Sequence, residues 1–182
     1  ELMNIDADLC TFAKAMGNGY PISVLAGKKE IMAHIGDGVV HGGTFTAHSV
    51  SLAAAEKTLE ILDETPALET IRQYGEALRV GLGEILTRFD VPHSFVGHPA
   101  LSGLFLSDTP PTNYRDWKTT DYTLYDALAV ELHERLVLCE PDSREPWFIC
   151  EAHDDTCLSQ TLDAFDDALK DTLHKLSRSS RA

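Results

Sequence analysis

Lys14 is the residue of this sequence whose surroundings best suit covalent chemistry. It interrupts an apolar run, and Gly17 and Gly19 follow it closely. Burying an unpaired ammonium is costly, so a lysine at this place makes sense if its amine is used. A desolvated lysine can lose its proton and attack a carbonyl carbon to form a Schiff base. The alternative is a lysine that reaches solvent from the end of a strand.

A glycine-rich loop forms a second candidate site. Four glycines lie between Gly36 and Gly43, and Thr44 follows directly. A phosphate monoester is bound by hydroxyl groups and free backbone N–H groups, often near the N-terminus of a helix. The apolar spacing predicts a helix over 47–63, so Gly43 and Thr44 could bind a phosphate in front of it. Alternatively, Thr44 only caps that helix.

The loop between Pro141 and Pro146 contains the third candidate, Arg144, followed by Glu145. A guanidinium can bind a substrate carboxylate through two parallel hydrogen bonds. The alternative is a solvated loop with a local ion pair. No histidine or cysteine has the spacing of metal ligands, so the sequence predicts no metal site.

Short strands and long helices must position these residues. Strands are predicted over 9–14 and 22–26, on either side of the glycine-containing turn. Apolar residues three and four apart predict the helix over 47–63 and another from Pro66 to about Phe89. The prolines and charges between these segments indicate loops.

The pattern changes after Pro92, and the remaining residues read as a small α/β unit. We therefore predict two domains, 1–90 and 91–182. The elements predicted in the second are strands over 93–96 and 103–106, a helix over 122–136, a strand over 147–151 and a final helix capped by Asp154 or Asp155.

Composition argues against several classes of partner. The 182 residues carry a formal net charge of -14, which disfavours binding to nucleic acid or to an anionic membrane surface. No apolar run approaches the roughly 20 residues that a membrane helix needs, and no secretory signal opens the sequence. The cysteines form no CxxC pair, so we expect reduced thiols in a cytoplasmic protein. They are Cys10, Cys139, Cys150 and Cys157.

Several stretches together resemble the class III family of pyridoxal-phosphate-dependent aminotransferases. They include Thr11–Ser23, Gly42–Ala47, Gly103–Leu106 and Phe148–His153. The resemblance is closest to glutamate-1-semialdehyde 2,1-aminomutase-like members. It implies an α/β fold, the fold type I of pyridoxal-phosphate enzymes. Because members of the family are much longer, we interpret the chain as a C-terminal fragment, with the end of the large cofactor domain followed by the small C-terminal domain.

The resemblance also assigns roles to the candidate residues. The lysine that matches Lys14 holds pyridoxal 5'-phosphate as a Schiff base, and the threonine that matches Thr44, with Gly43 beside it, binds the cofactor phosphate of the neighbouring subunit. This implies a homodimer with a shared active site. A glutamate matching Glu145 lies near the mouth of the site in the aminomutases, and an arginine near Arg144 binds a substrate carboxylate in other members.

The implied reaction moves an amino group of a small molecule. It is either the intramolecular conversion of glutamate-1-semialdehyde to 5-aminolevulinate or transamination of an amino compound with a keto acid. The aminomutases usually follow Gly-Gly-Thr with a Gly-Asn-Pro stretch, whereas this sequence has Ala47-His48-Ser49. This departure weakens the assignment to the aminomutase branch.

Some parts of the family's cofactor site lie upstream of the lysine and are not in this sequence. They are the aspartate that pairs with the pyridine nitrogen, the stacking aromatic ring and the main phosphate-binding turn. We therefore expect the chain alone to be inactive. The alternative from another class is a non-catalytic scaffold with a role in assembly, which would have no reason to keep the amine of Lys14.

Overall fold

A computed structural model describes residues 4–179 of the chain. Their contacts divide it into two compact units, one ending at Pro66 and the other beginning at Ala67. This division falls earlier than the boundary predicted near residue 90, because the helix that follows Pro66 packs on the last helix of the chain. The assignment of 1–90 to a large domain and of 91–182 to a small domain stays a prediction.

The first unit is built on an antiparallel pair of strands. Strand β1 (Leu9–Ala13) pairs with β2 (Ser23–Gly27), with Ala13 opposite Ser23. A single helical turn, Lys14–Gly17, follows β1 directly. The short helix α1 (Lys29–Met32) and the long helix α2 (Ser49–Glu64) complete the unit. The strands and the long helix agree with the sequence prediction to within two residues.

The turn between the two strands depends on its glycines. Asn18 and Gly19 have φ values of 45° and 97°, in the region that favours glycine and tolerates asparagine. Gly17 is buried, and a Cβ atom there would lie 2.6 Å from Cγ2 of Ile22. The chain can therefore reverse tightly just after Lys14 because these positions carry small or turn-forming residues.

The second unit contains a three-stranded sheet and two long helices. The sheet order is β3-β4-β5, and both pairings are antiparallel. Helix α6 packs on α3 and on α5. The elements are α3 (Ala67–Arg88), β3 (Ser94–Val96), β4 (Leu101–Phe105), α4 (Tyr114–Trp117), α5 (Tyr122–Glu134), β5 (Trp147–Phe148) and α6 (Asp155–Ser179).

The core of the second unit follows the predicted apolar stripes. Leu86, Phe165 and Leu169 are fully buried at 0% exposure, and Leu104 and Leu128 are nearly so. The Cys157 N–H donates to Oδ1 of Asp154 at 2.8 Å, which confirms the predicted cap of the last helix. Among residues 4–179, no helix is both long and apolar enough to cross a membrane.

Candidate functional site

Lys14 lies where β1 ends and the backbone changes direction. The preceding residue, Ala13, is extended, with φ -159°, whereas Lys14 has φ 53°. A residue other than glycine in this left-handed region costs about 1–3 kcal/mol, and such residues are frequent at active sites. Within the described part of the chain, the Lys14 side chain is exposed.

The hydrogen bonds in the first unit separate Lys14 from its lysine neighbours. Lys28 Nζ lies 2.7 Å from Asp8 and 3.1 Å from Asp6. The hydrogen bond to Asp8, with that to Asp6, raises the pKa of Lys28, and a protonated amine is no nucleophile. Within the part of the chain that the structure describes, Lys14 Nζ has no hydrogen bond or ion pair. Lys14 is thus better placed than Lys28 to react with a carbonyl group.

The described residues of the first unit do not form the apolar slot predicted for Lys14, which stays a prediction. Lys14 is exposed, and its neighbour Phe12 is 50% exposed. A two-stranded sheet cannot bury both of its faces without further layers. Within the described residues of this unit, α2 packs beside the Lys14–Gly17 turn. The described residues of the first unit alone therefore do not desolvate the amine.

The Gly42–Thr44 stretch leads into a turn that ends before the first residue of α2. The Thr46 N–H donates to the Gly43 carbonyl oxygen at 3.0 Å. Thr44 is exposed, and its hydroxyl makes no hydrogen bond within residues 4–179. His48 is the residue that caps α2, because its Nδ1 accepts from the Ser51 N–H at 3.3 Å. The hydroxyl of Thr44 is therefore available to a ligand instead of capping the helix.

Ala47-His48-Ser49, which stand where the aminomutases usually have Gly-Asn-Pro, have a backbone that Gly-Asn-Pro would also favour. Ala47 has φ 58°, a conformation that glycine adopts without strain. His48 caps the helix as an asparagine would, and its Nδ1 also lies 2.9 Å from the hydroxyl of the buried Ser51. Ser49 is the first residue of α2, where proline is often found. Ala47, His48 and Ser49 thus occupy backbone positions that glycine, asparagine and proline would also suit.

Replacement of Ala47 by glycine should stabilise the chain by about 1 kcal/mol, because the left-handed conformation then costs no side-chain clash. Urea unfolding measures this change. The matched control is Ala53→Gly, at an exposed position inside α2, where the same replacement should destabilise by about 1 kcal/mol. Equal signs for the two variants would contradict the strain assigned to Ala47.

Arg144 is paired with a carboxylate of its own loop. Its Nε lies 2.9 Å from Oδ1 and 3.0 Å from Oδ2 of Asp142, and its Nη2 also pairs with Oδ2. The hydrogen bond from Arg144 lowers the pKa of Asp142, and the same bond raises the pKa of Arg144. The local ion pair considered from the sequence is therefore present.

Aromatic rings also hold Arg144. Its guanidinium carbon lies 4.8 Å from the ring centre of Trp117 and 5.8 Å from that of Tyr114. Trp117 Nε1 donates to the Ser143 hydroxyl at 2.8 Å, which ties α4 to the loop. This stack could not be predicted from the sequence, since Trp117 lies 26 residues from Ser143 in a helix that the apolar pattern did not indicate.

The loop leaves part of Arg144 and all of the Glu145 carboxylate open. Arg144 Nη1 makes no hydrogen bond within the described residues, so its N–H groups could still meet a carboxylate. Glu145 is exposed, and its N–H donates to the Asp142 carbonyl oxygen at 2.9 Å. Both substrate contacts stay predictions. Arg144 and Glu145 lie in the second unit, whereas Lys14 and Thr44 lie in the first.

Comparison with known proteins identifies the family. The model of the family described as Aminotransferase class-III matches residues 1–168. The chain belongs to the class III aminotransferases. These enzymes use pyridoxal phosphate, and the chain has part of their fold type I architecture.

Curated relatives of this class III chain include aminomutases. The glutamate-1-semialdehyde 2,1-aminomutase of Methanothermobacter thermautotrophicus is 33% identical over 171 residues, which are 93% of this chain and 40% of that protein. A protein of the same name from Thermus thermophilus is 30% identical, with the same coverage. The chain thus spans about 40% of the length of the curated relatives it matches.

Two solved structures superpose well on the chain. The FumI protein of Sphingopyxis sp. MTA144, described as a pyridoxal-phosphate internal aldimine form, has a TM-score of 0.81 and 30% identity. It covers 93% of this chain and 38% of its own. An omega-transaminase from Sphaerobacter thermophilus has a TM-score of 0.85 at 24% identity, covering 94% and 40%. That second likeness concerns the fold alone.

Proposed function

We propose that the protein containing this chain is a pyridoxal-phosphate-dependent enzyme of amino-group transfer and that Lys14 holds its cofactor covalently. The observation that carries the proposal is the position of Lys14, with an accessible amine that no described residue engages, at a turn that has left-handed backbone. Membership of the class III family, whose model covers this residue, supports it further.

The residues present fit this cofactor. The Lys14 amine would bind its aldehyde carbon, and the hydroxyl and backbone N–H of Thr44, with Gly43 beside it, would bind its phosphate. When bound, pyridoxal phosphate supplies an electron sink for the substrate. Lys14 Nζ, once the substrate amine has released it, would take a proton from the substrate carbon and return it during the reaction. The aspartate for the pyridine nitrogen would come from residues outside this chain, so the chain alone is proposed to be inactive.

Borohydride reduction tests the covalent role. After incubation with pyridoxal phosphate, the complete protein should keep a pyridoxyl group on the peptide that contains Lys14, as read by peptide mass spectrometry. Lys28 and Lys29 provide the internal comparison, since the first is ion-paired and the second is exposed in α1. A protein that gains no adduct at saturating cofactor would fit the alternative, a non-catalytic scaffold.

Two forms of amino-group transfer are compatible with this proposal, the aminomutase reaction and transamination. Eight curated relatives are described as glutamate-1-semialdehyde 2,1-aminomutases, and this favours the aminomutase reaction. An intramolecular transfer consumes glutamate-1-semialdehyde with no added amino acceptor and forms 5-aminolevulinate. If turnover instead requires a keto acid, the protein is a transaminase and the aminomutase assignment fails.

Thr44 is proposed to bind the phosphate of the cofactor in the neighbouring subunit of a homodimer. Thr44→Ala should raise the cofactor concentration needed for half-maximal activity by roughly 10- to 100-fold, the value of a hydrogen bond to a charged group. Thr44→Ser keeps the hydroxyl and is the matched control. Pyridoxal without its phosphate should bind equally to all three proteins, and a loss there would contradict the phosphate role.

A mixed dimer tests whether the site is shared. In a heterodimer of Lys14→Ala and Thr44→Ala subunits, a shared arrangement gives one site with both residues intact and one with neither. The heterodimer should then recover about half of the wild-type activity at a cofactor concentration where both variant homodimers are inactive. Absence of recovery would contradict the shared site and would mean that Lys14 and Thr44 of one site come from the same subunit.

A cytoplasmic location is proposed from the cysteines. All four are free thiols, and Cys150 is exposed, which is typical of a reducing compartment. Alkylation of denatured, unreduced protein should therefore label all four cysteines. A disulfide detected in the natural protein would contradict this location.

A further inference from the structure

Trp117 is the last residue of the single-turn helix α4, and its neighbours restrict the position of its ring. The Asn113 side chain caps α4 by accepting from the backbone N–H groups of Arg115 and Asp116, at 2.9 and 3.2 Å. The ring of Tyr122, the first residue of α5, stacks on Trp117 with ring centres 4.8 Å apart and planes 30° apart. Trp117 is half-buried, so its ring offers a defined surface to the residues beside it.

Two contacts connect Trp117 to the Pro141–Pro146 loop. Its Nε1–H donates to the hydroxyl of Ser143 at 2.8 Å, and Ser143 is only 2% exposed. The guanidinium carbon of Arg144 lies 4.8 Å from the centre of the Trp117 ring. Contacts of this kind limit the rotamers that a surface arginine otherwise samples. Arg144 is thus held through its neighbour Ser143 and through its own guanidinium.

The ion pair with Asp142 fixes the guanidinium of Arg144 and leaves one of its edges open. Asp142 accepts from Nε and Nη2, which uses two of the five N–H groups. The edge formed by Nη1 and the second N–H of Nη2 has no hydrogen-bond partner within residues 4–179. Two parallel N–H groups match the two oxygens of a carboxylate. The stack and the ion pair together therefore present a fixed fork to a carboxylate ligand.

We propose that Trp117 is a positioning residue, which holds the free edge of Arg144 for the carboxylate of the substrate. The inference rests on the proposed amino-group transfer and on the carboxylate contact predicted for Arg144. It narrows the substrate class to amino or keto compounds that keep a carboxylate during the reaction. Because Trp117 acts through Arg144, its replacement weakens the binding of a carboxylate but not the binding of the corresponding amide.

Replacement of Trp117 by leucine tests this role with a ligand that has no amino or keto group to transfer. The ligand is glutarate, and its neutral diamide, glutaramide, is the comparison. Isothermal titration calorimetry of the complete protein measures both dissociation constants. Trp117→Leu should weaken glutarate binding about 5-fold, the value of a cation–π contact, and leave the weaker binding of glutaramide unchanged. Weaker binding of both ligands, or of neither, would overturn the proposal.

Two further variants separate this role from a general effect on the fold. Phe89→Leu removes a ring that lies 5.5 Å from the guanidinium carbon of Arg88 in the same unit, and it should leave glutarate binding unchanged. Arg144→Gln removes the fork and should weaken glutarate binding roughly 10-fold. In the Arg144→Gln background, Trp117→Leu should cause no further loss. Full glutarate binding by Arg144→Gln would overturn the proposal whether or not Trp117→Leu folds.

The result for Trp117 can be separated from the result for the proposed function. The pyridoxyl adduct on Lys14 reports on attachment of the cofactor and does not require a carboxylate contact. If glutarate binding depends on Trp117 while Lys14 gains no adduct, the proposed amino-group transfer fails and the positioning of Arg144 holds. If Lys14 carries the adduct while Trp117→Leu binds glutarate as the unaltered protein does, the positioning role of Trp117 alone fails.

Discussion

Replacement of Lys14 by alanine is expected to lower amino-group transfer by the complete protein by roughly 10²- to 10⁴-fold, the range typical of a positioned proton-transfer group. The variant also loses the covalent attachment of the cofactor, because alanine offers no amine. The measurement is kcat at saturating pyridoxal phosphate, so that weaker cofactor binding does not hide the loss of the chemical step.

Two comparisons separate the amine of Lys14 from its backbone. Lys29→Ala removes an exposed lysine from the same unit and should leave kcat unchanged. Added methylamine should restore part of the activity of Lys14→Ala, since a free amine can enter the space and move the proton. If Lys14→Ala retains wild-type kcat, or if methylamine restores none of the lost activity, the catalytic role of Lys14 is refuted.

The sequence predicted which residues of the first unit are candidates for the functional site, but not their backbone conformation or burial. The glycines around Lys14 indicated a tight turn, and the structure has one. The left-handed φ of Lys14 and of Ala47 could not be predicted, because neither residue type favours that region. The burial of Lys14 could not be predicted either, since it depends on layers that the apolar pattern of one strand does not specify.

The long helices were predicted best. The apolar periodicity of α3 and α6 repeats over many turns, and packing of those stripes forms the core of the second unit. Short elements were predicted less well. The single-turn helix α4 was missed and β5 is only two residues long, because such elements are determined by contacts from distant parts of the chain. The stack of Arg144 on Trp117 is one of these contacts.

Replacement of Leu169 by alanine is expected to lower the free energy of unfolding by about 2–5 kcal/mol. Leu169 is 0% exposed and lies within the core cluster formed by α3, α5, α6 and the sheet. The loss combines the transfer of its methyl groups to water with the cavity that close-packed neighbours cannot fill. Urea unfolding measures it, followed by the fluorescence of Trp117 and Trp147, the two tryptophans of the chain, both in the second unit.

Leu176→Ala is the matched control for Leu169→Ala, because it makes the same change two turns later in α6. Leu176 is 43% exposed, so its truncation should cost less than about 1 kcal/mol. Equal losses of unfolding free energy at the two positions would contradict the burial of Leu169 in the core. A comparison of Leu169→Ala with Lys14→Ala also separates an effect on stability from an effect on chemistry. Under native conditions Leu169→Ala should still carry the reducible pyridoxyl group on Lys14, whereas Lys14→Ala should lack the adduct and leave the tryptophan transition unchanged.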